Sequence, residues 1–215
     1  VRSRRQRQMC IRDRYNLIKK NMKEATMLET VILVLIYSKY KKYKVLPIFK
    51  QKEMYYILGI ELIYIGIQIA LFKQHYEWIK YAGLLKSIYL CTYLGLIFKY
   101  ELYKEALVGS GCVFLGGLCN DIAIKVNGGK MPVFPTLTYW TGYASPEAFE
   151  KARQVANDFH ILGSDQTKLK WLTDWIDLGY SVLSIGDVLI RVFVVLVLYG
   201  AIKEINSSLS QEKRI

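Results

Sequence analysis

The chain has 215 residues, 53% of them apolar, 17 tyrosines and a formal charge of +12, enough for one domain. Its charges cluster between long apolar runs instead of lining one face of each helix, which speaks against a soluble globule and for a small multi-pass membrane protein. Nucleic acid is not indicated: residues 1–26 carry nine Lys or Arg against two acids, a net +7, while the other 189 residues hold only +5 and no basic stripe interleaved with aromatics.

The segment "RRQRQMCIRDR" at 4–14 reads as a translated sequencing-adapter stretch. Residues 1–26 are therefore expected to be a non-native or disordered arm, with Met27 in "TMLETVILVL" as the native start. The segment also makes a poor secretory signal, because its basic stretch is long and no small-residue cleavage site follows the apolar run.

A membrane-spanning helix needs roughly 20 apolar residues. Leu28–Tyr40 is short and counts as the first span; 54–72, 78–98, 105–125 and 182–202 follow at full length. The expected fold class is all-α: a multi-pass transmembrane helical bundle of about five spans over 27–204, with a polar cytoplasmic tail at 205–215. Lysines in short loops set the orientation. Lys39, Lys41, Lys42, Lys44, Lys50 and Lys52 follow the first run, Lys99 and Lys104 the third, and Lys203, Lys213 and Arg214 the last. All three groups go to the cytoplasm, which leaves 126–181 as an extracytoplasmic helical segment of a cell-membrane protein.

In that segment, "NGGKMPVFP" at 127–135 leaves the fourth span. Gly128 and Gly129 permit a turn with positive φ, and Pro132 and Pro135 stop the helix. Ser145, Pro146 and Glu147 read as N-cap, first residue and acidic first turn of a helix that runs to about His160, with Gly163 as its stop. The spacing of Leu169, Leu172, Trp175 and Ile176, with Trp171, predicts an amphipathic helix over 167–179 at headgroup level. Asp158, Asp165, Asp174 and Asp177 are expected to be solvated.

Ionisable groups inside spans are costly and face the bundle interior or a wet cavity. The deep ones are Glu61, Lys86, Asp121, Asp187 and Arg191. Asp187 and Arg191 are four apart and can pair along one helix face; Glu61 and Lys86 can pair across neighbouring helices. Gly109, Cys112, Gly116 and Cys119 form a small-residue stripe that permits close helix approach and leads to Asn120. Together Glu61, Lys86, Asn120, Asp121, Asp187 and Arg191 outline a polar intramembrane site, with Asn127, Gly128, Gly129, Lys130 and His160 as its rim.

Enzyme motifs are missing. "GGKM" lacks the Ser or Thr of a phosphate loop, "GSGCVFLGG" lacks dinucleotide-binding spacing, and neither GxSxG nor HExxH occurs. With only His75 and His160, a His-rich metal site is excluded. Cys10, Cys91, Cys112 and Cys119 form no CxxC pair; the last two share a helix face but stand about 10 Å apart, beyond disulfide reach. No enzymatic activity, cofactor, metal or nucleic acid is expected. The expected partners are the lipid bilayer, a small ion or metabolite bound or transported at the polar site, and a second copy of the chain in a homo-oligomer. The alternative is a structural or signalling membrane partner whose charges only hold the bundle together. A membrane enzyme acting on lipid is the weaker third.

The words "NGGKMPVFP" at 127–135, "HILG" at 160–163, "TKLKWLTDWIDLG" at 167–179 and "SIGDVLIR" at 184–191 resemble a bacterial integral-membrane family, domain of unknown function 5317, over Met27 to Lys203. The resemblance implies a multi-pass membrane protein and brings no activity, substrate or catalytic residue.

Overall fold

The computed structural model describes residues 27–73, 75, 78, 81–142, 145–147 and 159–212. The expected arm at 1–26 lies outside them, as do most of the helix expected after Ser145, Asp158, and the end of the tail. The fold is mostly α-helical: α1 (Leu28–Tyr40), α2 (Lys52–Phe72), α3 (Ala82–Thr92), α4 (Leu94–Lys99), α5 (Tyr103–Val126), α6 (Leu137–Trp140) and α7 (Ile185–Glu212). Short strands β1 (Met131–Val133), β2 (His160–Leu162), β3 (Ile176–Asp177) and β4 (Val182–Leu183) lie between α5 and α7. Among the described residues, three stretches are long and apolar enough to cross a membrane: Lys52–Ala70, Tyr103–Val126 and Ile185–Gln211.

The other two expected spans differ for local reasons. α1 has 13 residues and covers about 20 Å, short of a hydrocarbon core of about 30 Å. The run at 78–98 is broken at Tyr93 into α3 and α4. There the Thr92 hydroxyl donates to the Tyr89 carbonyl (2.6 Å), and the Tyr93 N–H reaches back only to Leu90 (3.3 Å). A hydroxyl that takes a backbone acceptor in this way competes with the regular ladder and tightens the turn. The last span also starts later than expected, since Val182 and Leu183 are used in β4; α7 then continues to Glu212, so 205–212 extends the helix.

Two compact units are distinguished. The described parts of Thr26–Gly66, Tyr81–Asp121 and Ile185–Ile215 form one; those of Ile67–Lys80 and Ile122–Ser184 form the other. In the first, α7 is the central element. Its Ile190, Phe193, Val194, Val197, Leu198, Ala201, Ile202 and Ile205 are buried in one cluster with Val31 and Val34 of α1, Met54 and Ile57 of α2, and Tyr89, Tyr93 and Leu96. α1 turns Thr30, Val31, Val34 and Ser38 inward, at helical spacing. The small-residue stripe of α5 does what its spacing suggests. A Cβ on Gly116 would stand 2.5 Å from the Gly186 carbonyl oxygen, and one on Gly109 2.8 Å from the Phe193 ring. Backbone therefore meets backbone where α5 and α7 cross. At the lysine-rich turn, the Asn206 side chain accepts from the Lys44 N–H (2.8 Å) and donates to the Lys44 carbonyl (3.0 Å). Glu53 pairs with Lys99 at 2.7 Å.

The outward faces of this unit are apolar as well. Leu33, Ile36, Leu62, Leu107 and Phe114 are each 60% or more exposed. Helices that are apolar all round need hydrocarbon or protein on every side.

In the second unit, the described residues after α5 hold short strands and turns as well as the helix α6. Gly128 and Gly129 do take positive φ (68° and 78°) after α5. The chain then enters β1, which pairs in parallel with β2, placing Met131 opposite His160. His160 is thus a strand residue, not a helix end. The stretch 167–179 is not an amphipathic helix: it holds a 3₁₀ turn at Lys170–Leu172 and the strand β3. Leu169 has φ of 47°, and Asp174 hydrogen-bonds on both sides of β1, donating its N–H to Pro132 and accepting from the Phe134 N–H. The helical spacing of its apolar residues was overridden by this pairing with β1. Leu172 is buried, while Trp171 and Trp175 are exposed. β3 and β4 close an antiparallel hairpin.

Candidate functional site

Five of the six charged or polar groups expected inside the spans are brought into partnership or burial, but with different partners from those their spacing suggests. Lys86 pairs with Asp187 at 2.8 Å, not with Glu61. The Nη1 of Arg191 reaches Glu29 of α1 and the Thr30 hydroxyl, the latter at 2.8 Å, partners on another helix from the Asp187 one turn earlier. The reason is packing. Arg191 faces inward, 8% exposed, toward α1, whereas Asp187 lies near the start of α7 on the side of α3. Asn120 lies over Gly186, whose missing side chain leaves room for its amide; a Cβ there would stand 2.7 Å from the Asn120 Cγ. Asp121 is exposed.

Glu61 lies near the middle of α2, 2% exposed, and neither carboxylate oxygen has a hydrogen-bond partner of ordinary geometry. The Tyr89 hydroxyl and the Met27 backbone approach it as polar neighbours outside ordinary hydrogen-bond geometry, and the charges of Glu29 and Arg191 act on it as well. Tyr89 is committed to Tyr93, hydroxyl to hydroxyl at 2.7 Å, and its ring meets Tyr64 edge-on at 6.2 Å.

By helical rise, Arg191 is about 6 Å further along α7 than Asp187. The polar groups of this unit thus run inward from the half-exposed Lys86–Asp187 pair, with side chains 34% and 20% exposed, to the buried Arg191 and Glu61. Sequence reasoning missed Glu29, Thr30, Tyr89 and Tyr93. Glu29 sits in the first turn of a short helix, outside the deep part of any long apolar run, and tyrosines are too numerous here to single out. Among the described residues no cluster of His, Cys, Asp or Glu is arranged to hold a metal ion. Cys91, Cys112 and Cys119 are free thiols.

The residues expected as a rim belong to the second unit. Asn127 is fully used there: its amide donates to Ala123 (2.8 Å) and Lys168 (3.0 Å) and accepts from the Lys168 N–H (2.9 Å). Lys130 is half-buried one residue before β1, and His160 follows it across the strand register. The His160 ring stacks on Phe159 at 4.2 Å, with its Nε2 3.6 Å from the buried Asp174. Asp174 and Asp177, expected to be solvated, are structural. Asp177 accepts from the N–H groups of Thr136 (2.6 Å), Thr138 (2.8 Å) and Gly179 (2.8 Å) and from the Thr138 hydroxyl (2.5 Å). Burial pushes its carboxyl upward, but the Thr138 hydroxyl and these N–H groups outweigh that and hold it below the ordinary carboxylate value.

No curated protein and no solved structure gives a significant match. The model of a family of unknown function, DUF5317, matches residues 45–199, well over half of the sequence, and the chain belongs to that family.

Proposed function

We propose that this chain is a multi-pass integral protein of the bacterial cell membrane that binds or moves a small ion or metabolite at an outward-facing polar site made by Glu61, Lys86, Asn120, Asp121, Asp187 and Arg191. The observation that carries the reading is the half-exposed Lys86–Asp187 pair set among apolar helices. A charge pair does not face lipid bare; it lines water, a ligand or a partner. The polar gradient from that pair to buried Glu61 supports a path for a small solute and offers little to a large one.

The test is accessibility. In a background where Cys10, Cys91, Cys112 and Cys119 are serine, Asp187→Cys should react with a membrane-impermeant, water-soluble thiosulfonate in intact cells. A thiol that stays unreactive there, but reacts in detergent, overturns the outward-facing site. The alternative, a structural role, has its own support in Arg191, which is already held by Glu29 and Thr30. Lys86→Met and Asp187→Asn variants that lose solute-induced thermal stabilisation, yet keep the wild-type melting midpoint, would separate the two.

A further inference from the structure

Among the described residues of the bundle unit, Glu61 is the one carboxylate whose two oxygens are both buried without a hydrogen-bond partner. It lies about 14 Å from the start of α2 and about 17 Å from its end. The charged and titratable groups that act on it are Glu29 of α1, Tyr89 of α3, Tyr93 at the α3–α4 break, and Arg191 of α7. Arg191 is the sole cation among these and is bonded to Glu29 and Thr30. An ionised Glu61 would put a second carboxylate beside one guanidinium, in a medium where an unbonded charge is strongly disfavoured. A proton removes that charge and turns one oxygen into a donor.

We propose that Glu61 is a proton-binding site. Glu61 and Glu29 share Arg191, and a single proton decides which of them is its partner. With the proton on Glu61, Arg191 holds Glu29, as the structure has it. Loss of the proton breaks the Oε–H bond, passes H⁺ to water and leaves a carboxylate that competes with Glu29 for the guanidinium. Re-pairing shifts a contact of α7 from α1 to α2. The inference rests on the reading of these helices as an intramembrane bundle but needs no ligand at Lys86–Asp187.

The experiment uses the full chain in detergent, labelled with carboxyl-¹³C glutamate. At neutral pH, wild type should show an infrared carboxylic-acid C=O band that exchanges slowly in D₂O. Glu61→Gln should remove it, and Glu29→Gln should keep it. A group buried in its neutral form stabilises the fold at low pH and loses that contribution as pH rises. The wild-type melting midpoint should therefore fall from neutral to alkaline pH, with Glu61→Gln flat over the same range. Replacing sodium by choline should change nothing. Absence of the band in wild type overturns the proposal even if Glu61→Gln does not fold. So does a sodium-dependent rise in the midpoint, which would make the carboxylate a cation ligand. Both outcomes leave the accessibility of Asp187 untouched, so failure here is separable from failure of the outward-facing site.

Discussion

Asp177 stands out among the carboxylates because it replaces backbone pairing for a whole turn. One side chain serves three N–H groups and a hydroxyl that the chain leaves over at the start of α6 and after β3. Its carboxyl is held below its ordinary value, so the sign of its linkage is fixed. The stabilisation is present above the unfolded-state value, near that of a free aspartate, and is lost as pH falls through the lower folded-state value. Acidification into that range should loosen the α6 region, read by the fluorescence of Trp140. Asp177→Ala should lose about 1–3 kcal/mol at neutral pH, because it strands donors, and the acid transition should vanish with it. An unchanged acid transition in the variant would assign it to another group. His160 and Asp174, by contrast, meet at 3.6 Å, which counts as an ion pair only when the imidazole is protonated.

Between elements, the decisive contact is the crossing of α5 and α7. Gly116 and Gly186 face each other with no room for a Cβ against the opposite backbone. Backbone cannot rotate away as a side chain can. Gly116→Val should therefore force the helices apart at a cost of about 1–3 kcal/mol, lowering the melting midpoint. Gly111→Val, on the same helix with open space around it, is the control and should leave the midpoint close to wild type. Equal effects of the two substitutions would mean that helix propensity, not the crossing, sets the cost. The break at Tyr93 belongs to the same scale. Thr92, whose hydroxyl takes the Tyr89 carbonyl, interrupts a run that is apolar enough to continue.

For the molecule as a whole, the bundle unit presents apolar side chains both inward and outward. Leu107 and Phe114 are 76% and 71% exposed on a helix of 24 residues. Such surfaces are stable in hydrocarbon and aggregate in water. The protein should remain in the membrane pellet after alkaline carbonate washing and be released by mild detergent as a monodisperse species. Release by carbonate alone would mean a peripheral protein and would overturn the intramembrane reading of Glu61, Lys86 and Arg191 together.

The sequence by itself determined where the long apolar helices of α2, α5 and α7 lie, the close approach at Gly116, the turn at Gly128 and Gly129, the family, and two of the buried charges, Glu61 and Arg191. Each of these follows from composition or local spacing, which are properties of neighbouring residues. Tertiary structure alone decided who partners whom. Arg191 reached Glu29 because α1 packs against the buried face of α7, and Lys86 took Asp187 while the Glu61 oxygens were buried without a partner of ordinary hydrogen-bond geometry. The helical spacing in 167–179 was likewise overruled, because Asp174 found backbone partners in Pro132 of β1 and in Phe134 just after it, far earlier in the chain. Contacts of that range depend on where whole elements come to rest, which no local pattern encodes.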